Sequence, residues 1–250
     1  MPNSFTTFAA ACAALLLTAF IPARAELTRL EIVSKQPYGS FQTGEFVIWK
    51  GTVHGEISPQ EPIPGLDKAQ TNARGKVEYA ARVILIMPSQ PVRGNGALLL
   101  DVPNRGNAYA LALYNAPRDE PFSAGTLEQG TGFLQDHGFS LAEVSWELGK
   151  GAELPSFVDA EGKTRYVEGV GFAIVRDTAD FLAHGNADAA GTANPLKGGI
   201  VRTFASGKSQ SGRFLKSFLL RGFNMAGARR LFDGMHVFAS GWGSMPIMAT

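Results

Sequence analysis

Gly207-Lys208-Ser209-Gln210-Ser211-Gly212-Arg213 lies between an apolar run, Ile200 to Ala205, and a segment with Phe214/Phe218 and Leu215/Leu219/Phe223 at four-residue spacing. The run reads as a strand and the spacing as an amphipathic helix over 209–223. A serine on the short turn from a strand into a helix is the pattern of a nucleophile elbow, in which the turn lifts the side chain above the sheet edge. The turn is tight, so the residues two before and two after the nucleophile must be small. Ser209 meets this with Gly207 and Ser211. Ser211 does not, because Arg213 would stand at one of those places. The strict pattern has glycine where Ser211 stands, a departure of one hydroxymethyl group. The backbone N–H of Gln210 then sits at the helix N-terminus, where the helix field favours negative charge on a developing oxyanion. A phosphate-binding loop around Gly207-Lys208-Ser209 needs a glycine five residues earlier, and that place holds Arg202. Ser209 as a plain helix N-cap is the competing reading, and the motif alone leaves it open.

Outward from this stretch the chain alternates. Leu27–Val33, Glu45–Val53 and Val77–Met87 are rich in β-branched and aromatic residues and read as strands. Ala97–Val102 is a short continuous apolar run, as a strand buried on both faces should be. A helix is expected over 127–136, with Gly138 ending it. Ser140–Trp146 follows as a strand. A helix over 170–183 shares Val170, Ile174, Phe181 and Leu182 on one face, and Gly185 stops it. Met235–Ala239 is a last strand. Strands alternating with helices predict an α/β fold, a mostly parallel sheet with helices on both faces, in which Ala97–Val102, Ser140–Trp146 and Ile200–Ala205 are neighbours. Residues 147–165 form a loop long enough to border a site.

Composition bounds the rest. The chain has 250 residues, 45% of them hydrophobic, which suits one domain with a sizeable core. Residues 1–25 read as a secretory signal: Ala9–Ile21 is a short apolar run and Ala23-Arg24-Ala25 offers the small residues a signal peptidase reads. The run is too short for a comfortable membrane span. The expected mature domain, 26–250, is periplasmic or secreted. Only Arg24 is charged within residues 1–25, so the mature part holds 22 basic and 22 acidic residues, and nothing points to a nucleic-acid or anionic-membrane partner. Cys12 is the single cysteine and lies in the signal, so disulfides, thiolate metal sites and a cysteine nucleophile are excluded from the mature chain. No Glu/His cluster has metal-ligand spacing, and no metal or cofactor is expected.

Several further stretches accompany the elbow: Leu66-Asp67-Lys68, Asn72-Ala73-Arg74-Gly75-Lys76-Val77-Glu78-Tyr79, Asp101-Val102-Pro103-Asn104-Arg105-Gly106-Asn107, and Phe232-Asp233-Gly234. Together with Gly207 to Leu215 they resemble a bacterial family of α/β-hydrolase domain-containing proteins, over nearly all of the mature chain. The resemblance implies an α/β-hydrolase-like fold with Ser209 as nucleophile. It makes Ala97–Val102 the strand before the oxyanion loop and Ile200–Ala205 the nucleophile strand. It implies that the loop from Pro103 to Asn107 supplies the second oxyanion donor, a backbone N–H near Arg105. The plainer reading of Asn104-Arg105-Gly106 is a tight turn whose arginine makes a structural ion pair.

In this fold the triad runs Ser, then Asp or Glu, then His. The expectation is a C-terminally incomplete domain whose acid and base lie beyond residue 250, with the segment inactive alone. His54, His137, His184 and His236 are each better explained structurally, and Asp233 and Glu147 are possible acids by position. Two functions follow. One is a serine hydrolase acting on a small-molecule ester or other acyl substrate through an acyl-enzyme, not separable here from an acyltransferase or peptidase. The other is a secreted binding protein on the same fold without turnover.

Overall fold

The computed structural model describes residues 26–246; the expected signal, residues 1–25, lies outside them. The strands in chain order are β1 (Glu26–Phe41), β2 (Gly44–Ile57), β3 (Val77–Pro88), β4 (Ala97–Asp101), β5 (Ser140–Val144), β6 (Ala152–Glu153), β7 (Ser156–Val158), β8 (Thr164–Tyr166), β9 (Arg202–Lys208), β10 (Met225–Ala226), β11 (Arg229–Arg230) and β12 (Gly234–Phe238). The helices are α1 (Ala110–Tyr114), α2 (Phe133–Asp136), α3 (Val170–His184) and α4 (Gln210–Leu220).

The main sheet runs β1-β2-β3-β5-β4-β9-β12, with β6 beside β3. The strands β5, β4, β9 and β12 are parallel. Those expected to be neighbours, β5, β4 and β9, are neighbours, and β4 is buried at every residue, as its unbroken apolar sequence requires. The other half is antiparallel: β1 pairs β2, β2 pairs β3, and β3 pairs β5. The mostly parallel pattern therefore holds for the half that carries the elbow, and the sheet as a whole is mixed.

Alternation along the strands divides the core. Val83, Leu85, Leu98, Leu100 and Ala205 face α3 and α4, where Ile174, Phe214 and Phe218 meet them. Ile84, Ile86, Leu99 and Leu141 face Ala110 and Leu111 of α1 and Leu134 of α2. Helices thus cover both faces. Phe214 stacks on Phe172 with centroids 4.2 Å apart and planes 2° from parallel, and it meets Trp146 at 4.4 Å. These ring contacts fix the start of α4 against α3 and the end of β5.

Several elements depart from the sequence reading. The helix expected over 127–136 is only Phe133–Asp136. Gly130 and Gly132 have φ of 56° and 70°, and a Cβ on Gly130 would fall 2.1 Å from the Asn115 carbonyl oxygen. The segment wraps the buried Asn115 side chain, which donates to Gln129 O and Gln135 Oε1 and accepts from Leu134 N. β9 starts two residues later than expected and runs to Lys208, because Val201 and Arg202 both donate to Gly96 O and the β4 ladder begins there. α4 stops at Leu220: Gly222 takes φ 79°, Phe223 N bonds Phe218 O at 2.9 Å and Gly222 N bonds Leu219 O at 3.2 Å, the pairing of a Schellman cap. The 147–165 loop contains β6 and the β7–β8 hairpin. Among the described residues no helix is long and apolar enough to cross a membrane.

Candidate active site

Parallel strands end at one edge of a sheet, and the loops that leave them gather there. β4, β5, β9 and β12 all deliver their C-terminal ends to this edge.

Ser209 follows β9 directly and precedes the first residue of α4. Its backbone stands at φ 54°, ψ −110°, and its side chain makes no cap hydrogen bond. The N-cap reading therefore fails on geometry: the residue is exposed and its hydroxyl is not used to hold the helix. A non-glycine residue at such angles costs about 1–3 kcal/mol and persists only where the surroundings impose it. Here they do. Ser209 N donates to Phe238 O at 3.1 Å, and Ser209 O accepts from Arg213 N at 3.0 Å. Ser211 Oγ accepts from Lys208 N and donates to Lys208 O, each at 3.0 Å, so this buried hydroxyl closes the turn. A Cβ on Gly207 would lie 2.7 Å from Ser211 O, and one on Gly212 would lie 2.7 Å from Ser240 Cβ. Those contacts are the physical reason for small residues on either side of Ser209. Serine in the place of the expected glycine adds bonds that a glycine lacks.

Gln210 opens α4, so its N–H has no partner within the helix. Its side-chain Nε2 donates to Glu147 Oε1 at 3.0 Å, tying the start of α4 to the loop after β5. Glu147 thus lies at the site edge, as its sequence position suggested. Asp233 does not: it precedes β12, bonding Thr203 N at 3.0 Å and Arg230 at 3.0 Å, at the opposite end of that strand.

The loop after β4 is held at several points. Val102 N bonds Ser206 O at 2.9 Å, and Trp146 Nε1 donates to Pro103 O at 2.8 Å. Asn104 and Asn107 exchange backbone bonds at 2.8 and 3.1 Å around a tip at which Arg105 and Gly106 have φ of 52° and 83°. Arg105 is exposed and joins no ion pair among the described residues, so the structural-ion-pair reading of its side chain is not what the loop uses. Gly106 packs on Lys150, with 3.3 Å from an ideal Cβ to Lys150 Cβ, so this loop and the loop after β5 are adjacent. Lys208 Nζ sits 4.4 Å from the Tyr109 ring centroid, and that ring meets Phe238 edge-on at 6.5 Å. Trp146 and Glu147 are consecutive, one bonded to the Arg105 loop and the other to Gln210. The three residues singled out in the sequence, Ser209, Gln210 and Arg105, therefore belong to one connected edge.

Beneath it runs a row of polar residues across the sheet: Glu143 pairs with Asp101, Asp101 with Ser206, and Ser206 with His236. Burial pushes the Asp101 carboxyl up to about 7, opposed by N–H bonds from Ala110 and Tyr109 and reinforced by Glu143. Burial also raises Glu143, opposed by Arg82, which binds it at 2.6 Å. The sequence reading does not single out Asp101 as a site residue: it lies within the expected strand Ala97–Val102.

Among the described residues, no histidine is hydrogen-bonded to Ser209. His54 meets Arg29 and Glu31, His137 Nδ1 meets Phe133 O at 2.8 Å, and His236 Nδ1 meets the Tyr114 hydroxyl. His184 ends α3. An apolar hollow of about 430 Å³, bounded in part by Leu99, Tyr114, Phe133, Phe204 and His236, lies on the α1 face rather than at Ser209.

A family model described as an alpha/beta hydrolase domain matches residues 56–250. A comparison with curated protein sequences finds no match. Among solved structures, a CE15 glucuronoyl esterase from Teredinibacter turnerae is 12% identical over 90% of this chain and 48% of its own, with a TM-score of 0.43. The rice cell wall degrading esterase LipA from Xanthomonas oryzae is 17% identical over 85% of this chain and 49% of its own, with a TM-score of 0.38. The chain spans about half the length of these structures.

Proposed function

Because the chain belongs to the alpha/beta hydrolase domain family over residues 56–250, we propose that it acts as a serine hydrolase on carboxylic esters, with Ser209 as the nucleophile. The observation that carries the reading is an exposed serine, held at φ 54° between a parallel strand and a helix, whose side chain no cap employs. Attack of Oγ on the ester carbonyl forms a tetrahedral oxyanion, and its collapse expels the alcohol and leaves an acyl-serine. Water then attacks the acyl-serine, releasing the acid and restoring the hydroxyl. The N–H groups of Gln210 and of Arg105 are the proposed oxyanion donors. A serine hydroxyl needs a base to lose its proton near neutral pH. That base is proposed to be a residue other than His54, His137, His184 and His236. Residues 1–25 are proposed as a secretory signal, placing the protein in the periplasm or outside the cell.

The test uses the full-length protein. A fluorophosphonate probe should label it at Ser209, and it should hydrolyse a short-chain chromogenic ester. Ser209→Ala should lose both, by several orders of magnitude in rate, since the members of such a site act as a unit. Wild-type activity in Ser209→Ala refutes the nucleophile. A folded protein that neither labels nor turns over favours the binding-protein reading.

A further inference from the structure

Asp101 sits where β4 gives way to the loop bearing Arg105. It is 1% exposed. Its Oδ2 accepts from Tyr109 N at 2.6 Å and from Ala110 N at 2.5 Å. One carboxyl oxygen thereby joins the end of β4 to the last residue of the loop and to the first turn of α1. Tyr109, at the N-cap place of that helix, makes no side-chain cap bond. Between the two anchored ends the chain is held by its own Asn104–Asn107 exchange and by bonds from Val102 N to Ser206 O, Trp146 Nε1 to Pro103 O, Gly125 N to Ala108 O and Arg82 to Gly106 O. Fix those points, and the position of the left-handed tip at Arg105 is fixed.

We propose that Asp101 is a positioning residue for the oxyanion loop, its carboxyl setting where the Arg105 N–H points. This rests on the reading of Arg105 as an oxyanion donor and goes beyond it by naming what holds that donor. The groups facing Asp101 are those of a tuned polar row rather than of plain core. Glu143 is beside it on β5 with Arg82 of β3 bound to Glu143, and Lys50 of β2 bears on Glu143. Ser206 is beside it on β9, Tyr114 of α1 feels its charge, and His236 of β12 holds the Tyr114 hydroxyl. Its second oxygen, Oδ1, is buried without a partner among the described residues. Asp101 touches no substrate in this account. It acts through the backbone it holds.

The test is a series in the full-length protein, with each preparation normalised by active-site titration so that only folded enzyme is counted. Asp101→Asn keeps an acceptor oxygen for both N–H groups and should retain kcat within roughly threefold. Asp101→Ala removes the acceptor and should lower kcat by roughly 10- to 100-fold with KM little changed, a fraction of what loss of a whole oxyanion donor costs. A boronic acid inhibitor, whose tetrahedral adduct occupies the same hole, should weaken in step with kcat/KM in the alanine variant and stay tight in the asparagine variant. A normalised kcat equal to wild type in Asp101→Ala, or inhibitor affinity that does not follow kcat/KM, overturns the proposal. Ser209→Ala run alongside separates the two levels: if that variant is inactive while Asp101→Ala is normal, only the positioning role falls. If Ser209→Ala is active, the parent reading falls.

Discussion

Asp101→Asn should shift the stability of this protein in a pH-dependent way whose sign follows from burial. The Asp101 carboxyl is raised from 3.8 to about 7, chiefly because its charged form is stripped of water. In the unfolded chain the group ionises near its ordinary value. Between about pH 4 and pH 7 the folded state therefore keeps a proton that the unfolded state has already lost. The proton's stabilising contribution is complete below the unfolded value and is lost as pH rises through the folded value. A gap of about three pH units, at 1.36 kcal/mol per unit, amounts to roughly 4 kcal/mol. Asparagine has no proton to lose and can accept the same N–H bonds from Tyr109 and Ala110. The stability of Asp101→Asn relative to wild type should thus climb by up to about 4 kcal/mol from pH 4 to pH 8, with most of the rise between pH 5 and 7, and level off above. Urea unfolding followed by tryptophan fluorescence at pH 5, 6, 7 and 8 reads this directly. Taking the difference between the two proteins cancels the titrating groups that do not interact with Asp101, and leaves Glu143 beside it as the coupled group. A difference that is constant with pH, or that moves in favour of wild type as pH rises, refutes the argument.

Two other substitutions follow from contacts around the core and the turn. Gly207→Ala places a methyl 2.7 Å from the Ser211 carbonyl oxygen, and it should cost about 1–3 kcal/mol and most of the ester hydrolysis, measured by thermal unfolding and the chromogenic assay. Arg176 donates to both oxygens of Glu61 at 2.9 and 3.0 Å and to Asp177 at 2.8 Å, and Tyr79 donates to Asp177 at 2.7 Å. Arg176→Met should therefore destabilise by roughly 3–5 kcal/mol, because two carboxylates lose their counter-charge in a buried setting; unchanged urea unfolding would refute this.

What the sequence made legible was local. β4 is, but for Asp101, a short apolar run that a doubly covered strand accommodates, and the strands around Ser209 follow. The turn at Ser209 is encoded within seven consecutive residues: the glycines at 207 and 212 are each required by a close contact, and Ser211 closes the turn through its bonds to Lys208. The longer-range features were not legible. Leu127, Phe133 and Leu134 have helix-like spacing, yet the backbone follows glycines 130 and 132 and the buried Asn115, whose demand for partners no periodicity reveals. β1 runs past the expected end at Val33 through Pro37, which an edge strand tolerates because proline, having no N–H to donate, need not complete a ladder on the open side. The bond from Gln210 to Glu147 spans 63 residues, and only the folded chain brings them together. Asp101 reads as strand because it lies within the apolar run Ala97–Val102, and the N–H groups it binds lie eight and nine residues downstream.

The distribution of strain argues for the same edge independently of any motif. Among the described residues, the non-glycine positions with positive φ are Arg105 at 52°, Ser209 at 54° and Ala239 at 48°. Each follows the C-terminal end of a parallel strand: Arg105 comes after β4, Ser209 after β9 and Ala239 after β12. Among the described residues the buried polar side-chain atoms without a partner gather there too, with Asp101 Oδ1, Asn104 Oδ1, Ser145 Oγ, Glu147 Oε2, Ser206 Oγ and Gln210 Oε1 there and Gln135 Nε2 and Thr178 Oγ1 elsewhere. Left-handed backbone at residues other than glycine and unmet hydrogen-bonding capacity both oppose folding, by about 1–3 kcal/mol for each instance. A chain that only needed to fold would scatter such costs or remove them. Their concentration where three parallel strands end is what a site built around the proposed nucleophile Ser209 accounts for.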